Sequence, residues 1–269
     1  MVEMANKYND LNGKEWLQYS FSIWRNIRKE DEERKLQHPA MFPVQLAERT
    51  IEIFSKSKDL ILDPFMGTGS TIVAAYRKKR NSIGFELSSE FVSIFNKRLN
   101  EEKCNLWNNE CFEPIVYAKD ARDLLGYVNK ESVHLCITSP PYWDILNMHR
   151  TADRKEIVNY SESNTDLGNI SDYNEFLCEL IGIFSKVYKV LKTNGHCVVV
   201  LMDIRKKDKF YPFHSDFANK MQEIGFTFED IIIWDRQHEY NNMRPLGYPY
   251  VFRVNKVHEY ILIFKKKGH

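Results

Sequence analysis

The sequence predicts an α/β fold: a mostly parallel, seven-stranded, doubly wound sheet with helices on both faces and a reversed hairpin at the C-terminus. Three observations predict it. Short apolar runs alternate with helix-length stretches from residue 46 onward, a pattern that implies βαβ crossovers and a sheet covered on both sides. The first of these runs ends in an acid and a glycine turn, Asp63-Pro64-Phe65-Met66-Gly67-Thr68-Gly69. The last, VHEYILIFKKK, alternates apolar and polar residues, as a strand returning antiparallel beside 227–234 would.

The elements follow in order. VQLAERTIEIFSK reads as a helix over about 44–56, LILD as a strand at 60–63 that Pro64 and the glycines terminate, and 70–79 as a helix that Ser70 or Thr71 can cap. SIGFE (82–86) is the next strand, followed by a helix at 89–100 and a strand near 115–118. The apolar run Val133–Ile137 is a strand that must stop before Pro140-Pro141, because proline gives up a backbone donor and fixes φ. A helix at 173–191, a strand at 196–202, a helix at 214–224 and strands at 227–234 and 257–265 complete the series.

Two stretches resist the pattern. Residues 1–35 are charged and weakly periodic, and 143–172 is a polar insertion longer than an ordinary connection, a kind of segment that tends to carry function. No Gly/Ser/Pro-rich linker divides the chain. The reading is therefore one domain over 1–269, with an N-terminal extension at 1–35 and a recognition insertion at 143–172.

Composition excludes several classes. Hydrophobic content of 43% supports a sizeable core, and a net charge of +1 rules out a global basic field. Any nucleic-acid surface must be local. Candidate patches are Arg77–Arg80, Arg205–Lys209 and Lys265–Lys267, although short charge runs are most often solvated faces. The five cysteines, at 104, 111, 136, 178 and 197, form no CxxC pair and no zinc spacing. No bound metal is expected. An odd thiol count, no leader-like start and no apolar run approaching ~18 residues lead to the expectation of a cytoplasmic protein without a membrane segment.

The loop Asp63-Pro64-Phe65-Met66-Gly67-Thr68-Gly69-Ser70-Thr71 brings backbone N–H groups to the carboxyl edge of the sheet, where open α/β folds bind small molecules. Glu86 ends the next strand, in the place from which such folds hydrogen-bond ribose hydroxyls. The loop lacks the spacing of both the dinucleotide and the P-loop fingerprints, and an acid before the turn would repel phosphate. A cationic or zwitterionic nucleoside fits better, with Asp63 facing its ammonium group.

DPFMGTGST, with TSPPYW downstream, resembles the S-adenosylmethionine-dependent amino methyltransferases that modify exocyclic amines of bases in DNA. The resemblance implies a Rossmann-like methyltransferase fold, S-adenosylmethionine as cofactor and DNA as partner. It places Asp63, Gly67 and Gly69 in the cofactor loop, Glu86 on the ribose and Asp120 on the adenine amine. It also makes His38-Pro39-Ala40-Met41-Phe42-Pro43 similar to the family's methionine-binding segment. Asp120 equally fits a simple helix N-cap.

The same resemblance makes Ser139-Pro140-Pro141-Tyr142 the catalytic turn. The Ser139 hydroxyl and the Pro140 carbonyl would accept from the amine, a rigid Pro-Pro pair would offer no competing N–H, and Tyr142 would stack on a flipped base. Ser before Pro-Pro-Tyr resembles the N4-cytosine enzymes, and a hydroxyl can also donate, for example to the cytosine ring nitrogen. Adenine N6 in DNA and cytosine N4 in RNA stay open, as does a catalytically silent cofactor-binding subunit. A restriction-modification or defence setting is expected. Recognition would fall to the insertion beginning at Trp143 and to 236–256, where Arg236, Arg244, Arg253 and Lys256 mix with Tyr240, Tyr248, Tyr250 and Phe252. A lid packed on the sheet would give the same mixture.

Overall fold

The computed structural model describes residues 7–36, 41–105, 112–143, 167–239 and 245–268. The seven expected strands are all present: β2 (Leu60–Asp63), β3 (Asn81–Phe85), β4 (Ile115–Tyr117), β5 (Val133–Thr138), β6 (Leu191–Leu201), β9 (Thr227–Asp235) and β10 (His258–Lys265). They lie side by side as β4-β3-β2-β5-β6-β10-β9. Pairings among β2 to β6 are parallel, whereas β10 runs antiparallel to both β6 and β9. The C-terminal strand thus inserts between two others and does not merely flank 227–234.

Period-two alternation divides the side chains between two cores. Leu62, Cys136, Cys197, Val199 and Leu201 face the side covered by α6 (Tyr173–Val190) and α7 (Phe213–Glu223), with Phe176, Phe184, Phe213 and Phe217 fully buried there. Ile61, Leu135, Ile137, Val198 and Val200 face α3 (Val44–Phe54) and α4 (Ser70–Arg77), with Leu46, Ile51, Ile72 and Phe95. Both faces are covered, as a parallel sheet requires. α5 (Ser89–Asn105) follows β3.

The N-terminal extension, for which the sequence predicts no elements, is ordered into several. It contains α1 (Gly13–Tyr19), a two-residue strand β1 (Ile23–Trp24) and α2 (Asp31–Lys35). β1 pairs parallel with β9 through Ile23 and Trp24 and so adds an eighth strand. Trp24 is 2% exposed and Ile27 is fully buried, which explains why this charged stretch is held to the core. Glu33 does unexpected work as well: it is buried, and its Oε1 accepts from Val44 N (2.8 Å), satisfying an orphan donor at the start of α3. The charge run 205–209 also folds, as a hairpin of β7 (Ile204–Lys206) and β8 (Lys209–Tyr211).

Candidate active site

The polypeptide leaves β2 at Asp63 and turns sharply into α4. Gly67 (φ +53°) and Gly69 (φ +86°) take left-handed backbone that L side chains rarely adopt. At Gly69 a Cβ would lie 2.2 Å from Phe95 Cδ2. Gly69→Ala is therefore expected to cost about 2–4 kcal/mol, combining the left-handed penalty with overpacking, and urea unfolding measures it.

The loop is held on every side by its neighbours. Met66 N donates to the Phe85 carbonyl (3.0 Å) and Gly67 N to Glu86 Oε2 (2.9 Å), while Ser88 N donates to Glu86 Oε1 (2.8 Å). Arg98 donates to the Thr68 carbonyl (2.8 Å) and pairs with Glu33 (3.4 Å). Thr68 Oγ1 lies 2.9 Å from Met41 Sδ. Burial raises the Glu86 carboxyl above the usual range, against these backbone donors.

Over this loop opens a pocket of about 900 Å³, counting solvent at its mouth. Its lining includes Pro64, Phe65, Gly67, Thr68, Ser70, Glu86 and Asp120, all expected on the cofactor side, together with Ser139, Pro140 and Pro141. The two motifs, far apart in sequence, thus line one cavity at the carboxyl edge of the sheet. Asp120 is both an N-cap and a wall residue: its Oδ1 accepts from Arg122 N (2.8 Å), and Oδ2 takes the Arg122 guanidinium (2.9 Å). Met41 and Phe42 line the pocket from the segment before α3, whereas His38 and Pro39 lie outside the described residues. Phe85, Leu87, Lys119 and Ile183 also line it; these the sequence reading missed, and only their places next to Glu86 and Asp120 could have pointed to the first three. Ser70 Oγ is buried in this wall with no hydrogen-bond partner among the described residues.

Asp63 corrects one expectation. Only 1% exposed and absent from the pocket wall, it makes its contacts within the protein and not at the cavity surface, where an ammonium partner was expected. Its Oδ1 accepts from Thr138 Oγ1 (2.6 Å) and from Phe65 N (3.0 Å). The acid ties the end of β2 to the end of β5, one residue before Ser139. Burial pushes its carboxyl up to about 6, opposed by hydrogen bonds from Thr138, Thr71 and Phe65 N. Thr71 is fully buried and Gly69 is enclosed by Phe95, so both shape the loop from beneath without lining the pocket.

Tyr142 is a second correction. Its ring is 6% exposed, so it is not an open platform for a base in this conformation. The hydroxyl donates to Glu259 Oε2 (3.0 Å) and lies 3.2 Å from Ser139 Oγ. Glu259, itself buried, is paired with Arg236, which stacks over Trp234 at 4.8 Å. Because Tyr142 has a single proton and gives it to a carboxylate, its oxygen is left to accept from Ser139. That ordering turns the lone pairs of Ser139 toward the cavity. Burial, then Glu259, raises the Tyr142 phenol well above its usual range, which keeps the donor protonated.

Trp143 is corrected likewise from base contact to anchor. With φ +50° and 4% exposure, it donates from Nε1 to the Ile170 carbonyl (2.8 Å) and packs edge-on against Tyr173 and Tyr211. Most of the insertion that follows, and Arg244 and Tyr240, lie outside the described residues. Tyr248 is 78% exposed, and Arg253 is tied to Asp208 (2.7 Å). Among the described residues, no group of three or more His, Cys, Asp or Glu side chains could hold a metal, and no helix is long and apolar enough to cross a membrane.

Known proteins resemble this chain in sequence over part of its length or in fold. M.BglI of Bacillus subtilis, a type II methyltransferase, is 37% identical over 94 residues, 34% of this chain and 26% of its own length. M.BamHII of Bacillus amyloliquefaciens, an orphan methyltransferase, is 43% identical over 83 residues, 29% of this chain and 31% of its own. The matches thus span about a quarter to a third of these curated relatives. A SAM-dependent methyltransferase structure from Methanosarcina mazei, 12% identical, superposes with a TM-score of 0.52 over 82% of this chain and 98% of that one, a likeness of fold. The DNA methylase family profile (N6_N4_Mtase) matches residues 2–97 and 133–269, which takes in the glycine loop, Glu86 and the Ser139 turn but not Asp120, and the chain belongs to that family.

Proposed function

We propose that this chain transfers a methyl group from S-adenosylmethionine to the exocyclic amine of a base extruded from DNA, with cytosine N4 as the amine. The observation that carries the reading is the single cavity walled by the glycine loop and by Ser139-Pro140-Pro141. The residues present fit the cofactor. Ser70 Oγ is buried in the wall without a partner among the described residues, and beside the start of α4 it suits a carboxylate. Glu86 and Asp120 offer acceptors for ribose hydroxyls and an adenine amine. When bound, the cofactor supplies a sulfonium methyl as electrophile.

The remaining work falls to the chain. An exocyclic amine is a weak nucleophile because its lone pair is delocalised into the ring. Acceptors at Ser139 Oγ and the Pro140 carbonyl would draw its N–H bonds and hold the nitrogen in a reactive geometry, and the Pro-Pro pair presents no N–H of its own to compete. The hydrogen-bond order Ser139 to Tyr142 to Glu259 suits this role, since it spends the Ser139 proton inward and keeps the oxygen an acceptor. Excluding water from the apolar wall around Phe65, Met66 and Phe85 strengthens these contacts.

Cytosine rests on the serine before Pro-Pro-Tyr. A restriction-modification or defence setting follows from the relatives, which are type II and orphan methyltransferases. Residues 1–269 are proposed to act as one catalytic unit, with recognition shared by 143–172 and 236–256. Labelled cofactor incubated with DNA or RNA, followed by nucleoside digestion, is expected to give N4-methyldeoxycytidine. Label in N6-methyldeoxyadenosine would move the amine to adenine, label only in RNA would replace the substrate, and cofactor binding without transfer would favour a silent subunit.

A further inference from the structure

Beyond the pocket, the same edge of the sheet carries a second feature. β6 runs parallel to β5, pairing Val199 with Thr138, so the chain leaving Leu201 emerges beside the Ser139 turn. It folds at once into the β7–β8 hairpin, Ile204-Arg-Lys-Lys-Asp-Lys-Phe-Tyr211. These eight residues carry four cations and one carboxylate, against a net charge of +1 for all 269 residues. Arg205, Lys207, Lys209 and Phe210 are exposed. The β9–β10 connection leaves the sheet at this edge too, since β9 is parallel to β6 through their shared antiparallel partner β10.

The hairpin and that connection are joined. Arg253 pairs with Asp208 (2.7 Å) and donates to the Lys207 carbonyl (3.3 Å). Lys256 Nζ sits 4.2 Å over the Phe210 ring, and Arg205 is 5.5 Å from the same ring. From the connection Tyr250 and Phe252 project 90% and 93% exposed beside exposed Tyr248, Val251 and Val254, and such a contiguous run of exposed apolar side chains marks an interaction surface. The hairpin is also joined to the catalytic turn: Tyr211 packs against Trp143 (5.1 Å), and Lys206 Nζ lies 3.9 Å over the Trp143 ring. A body gripped by this surface is therefore registered against Ser139.

We propose that the β7–β8 hairpin and the exposed aromatic connection form one DNA-docking surface, in which Arg205, Lys207 and Lys209 grip the phosphate backbone flanking the extruded base while Tyr250 and Phe252 pack against sugars or bases. The proposal rests on the methyltransferase reading and supplies its substrate grip. Charge favours nucleic acid: local positive density with interleaved exposed rings matches a phosphate-base polymer, whereas a two-fold contact with a second copy of this chain would bring the same cations against these.

The test uses the full chain and a labelled DNA duplex of arbitrary sequence, because phosphate contacts are independent of sequence. A variant with Arg205→Glu, Lys207→Glu and Lys209→Glu, all exposed and none lining the pocket, is compared with wild type across a salt series. Affinity is expected to fall at least about tenfold at ~100 mM salt, and the slope of log affinity against log salt to shrink by about 2–3. Cofactor affinity stays as in wild type, and methyl transfer at saturating DNA is retained with a raised KM for DNA. A Tyr250→Ala/Phe252→Ala variant is expected to lose affinity with the salt slope unchanged. Wild-type affinity and slope in the charge-reversed protein, alongside normal transfer to DNA, would overturn the docking surface and leave the reaction standing. Wild-type protein that labels RNA alone would instead overturn the substrate reading itself.

Discussion

Tyr142→Phe is expected to lower turnover by about ten- to a hundredfold, less than the loss of a donor that itself meets the transition state because Tyr142 acts through Ser139, while S-adenosylmethionine affinity stays within about twofold. The ring remains, so packing is kept. What goes is the oxygen that takes the Ser139 proton and the donor that meets Glu259. Ser139 is then free to turn its O–H into the cavity and compete with the amine. Glu259 keeps Arg236, so the stability loss stays near ~1 kcal/mol. Tyr142→Ala removes the ring as well and is expected to cost turnover more steeply, with about 3–5 kcal/mol of stability for the cavity left in the core. Single-turnover rates beside calorimetric cofactor titrations separate the effects; equal losses in both would make Tyr142 a support of the cofactor pocket only.

Asp63→Ala is expected to remove detectable cofactor binding and about 2–4 kcal/mol of stability, because it orphans the Thr138 hydroxyl and the Phe65 N–H in a dry site. Asp63→Asn behaves differently, since an amide oxygen can still accept both bonds. It isolates the charge. The carboxyl is raised from 3.8 to about 6 in the folded protein, so between these values the folded state holds a proton that the unfolded state has lost. Its contribution to stability is fully present below about pH 4 and is lost as pH rises to about 6, amounting to up to ~3 kcal/mol. Asparagine cannot titrate. Urea unfolding of both proteins at pH 4.5 and 7 should show the variant gaining on wild type as pH rises, and a constant difference between them would place the titration elsewhere.

Much of the fold was legible because hydrophobic runs and turn chemistry agreed. LILD, VHLCI and VHEYILIF are apolar strands cut off by Pro, Gly or charge, and each appears within a residue or two of its expected place. β6 starts earlier than expected, at Leu191, because the chain passes directly from α6 into a pairing of Leu191 with Val133 before the irregular Asn194-Gly195 step. The extension was illegible for a different reason. In KEDEERK nothing in the pattern separates buried Glu33 from exposed Glu32, since only a tertiary partner decides which acid is taken inside. The 205–209 run looked like a solvated face, and its hairpin turn at Lys207 (φ +54°) lacks the glycine or asparagine that would have announced it.

At the site, the motifs marked the right neighbourhood but not the direction of each side chain. Asp63 and Tyr142 both point inward, to Thr138 and Glu259, because a polar group at a strand's end meets whichever buried partner the adjoining strand offers. Glu259 lies 117 residues beyond Tyr142, a pairing that no local pattern encodes.

The strut from Glu33 through Arg98 to the Thr68 carbonyl has a further consequence. It braces the glycine loop from a segment that precedes the first helix of the central fold, so a protein trimmed to begin at Val44 would lose not only β1 with its buried Trp24 but also the stiffness of its ligand cradle. Disorder that a small guest would otherwise have to quench on arrival is already removed when the chain folds, by two side chains that stand behind the cradle wall.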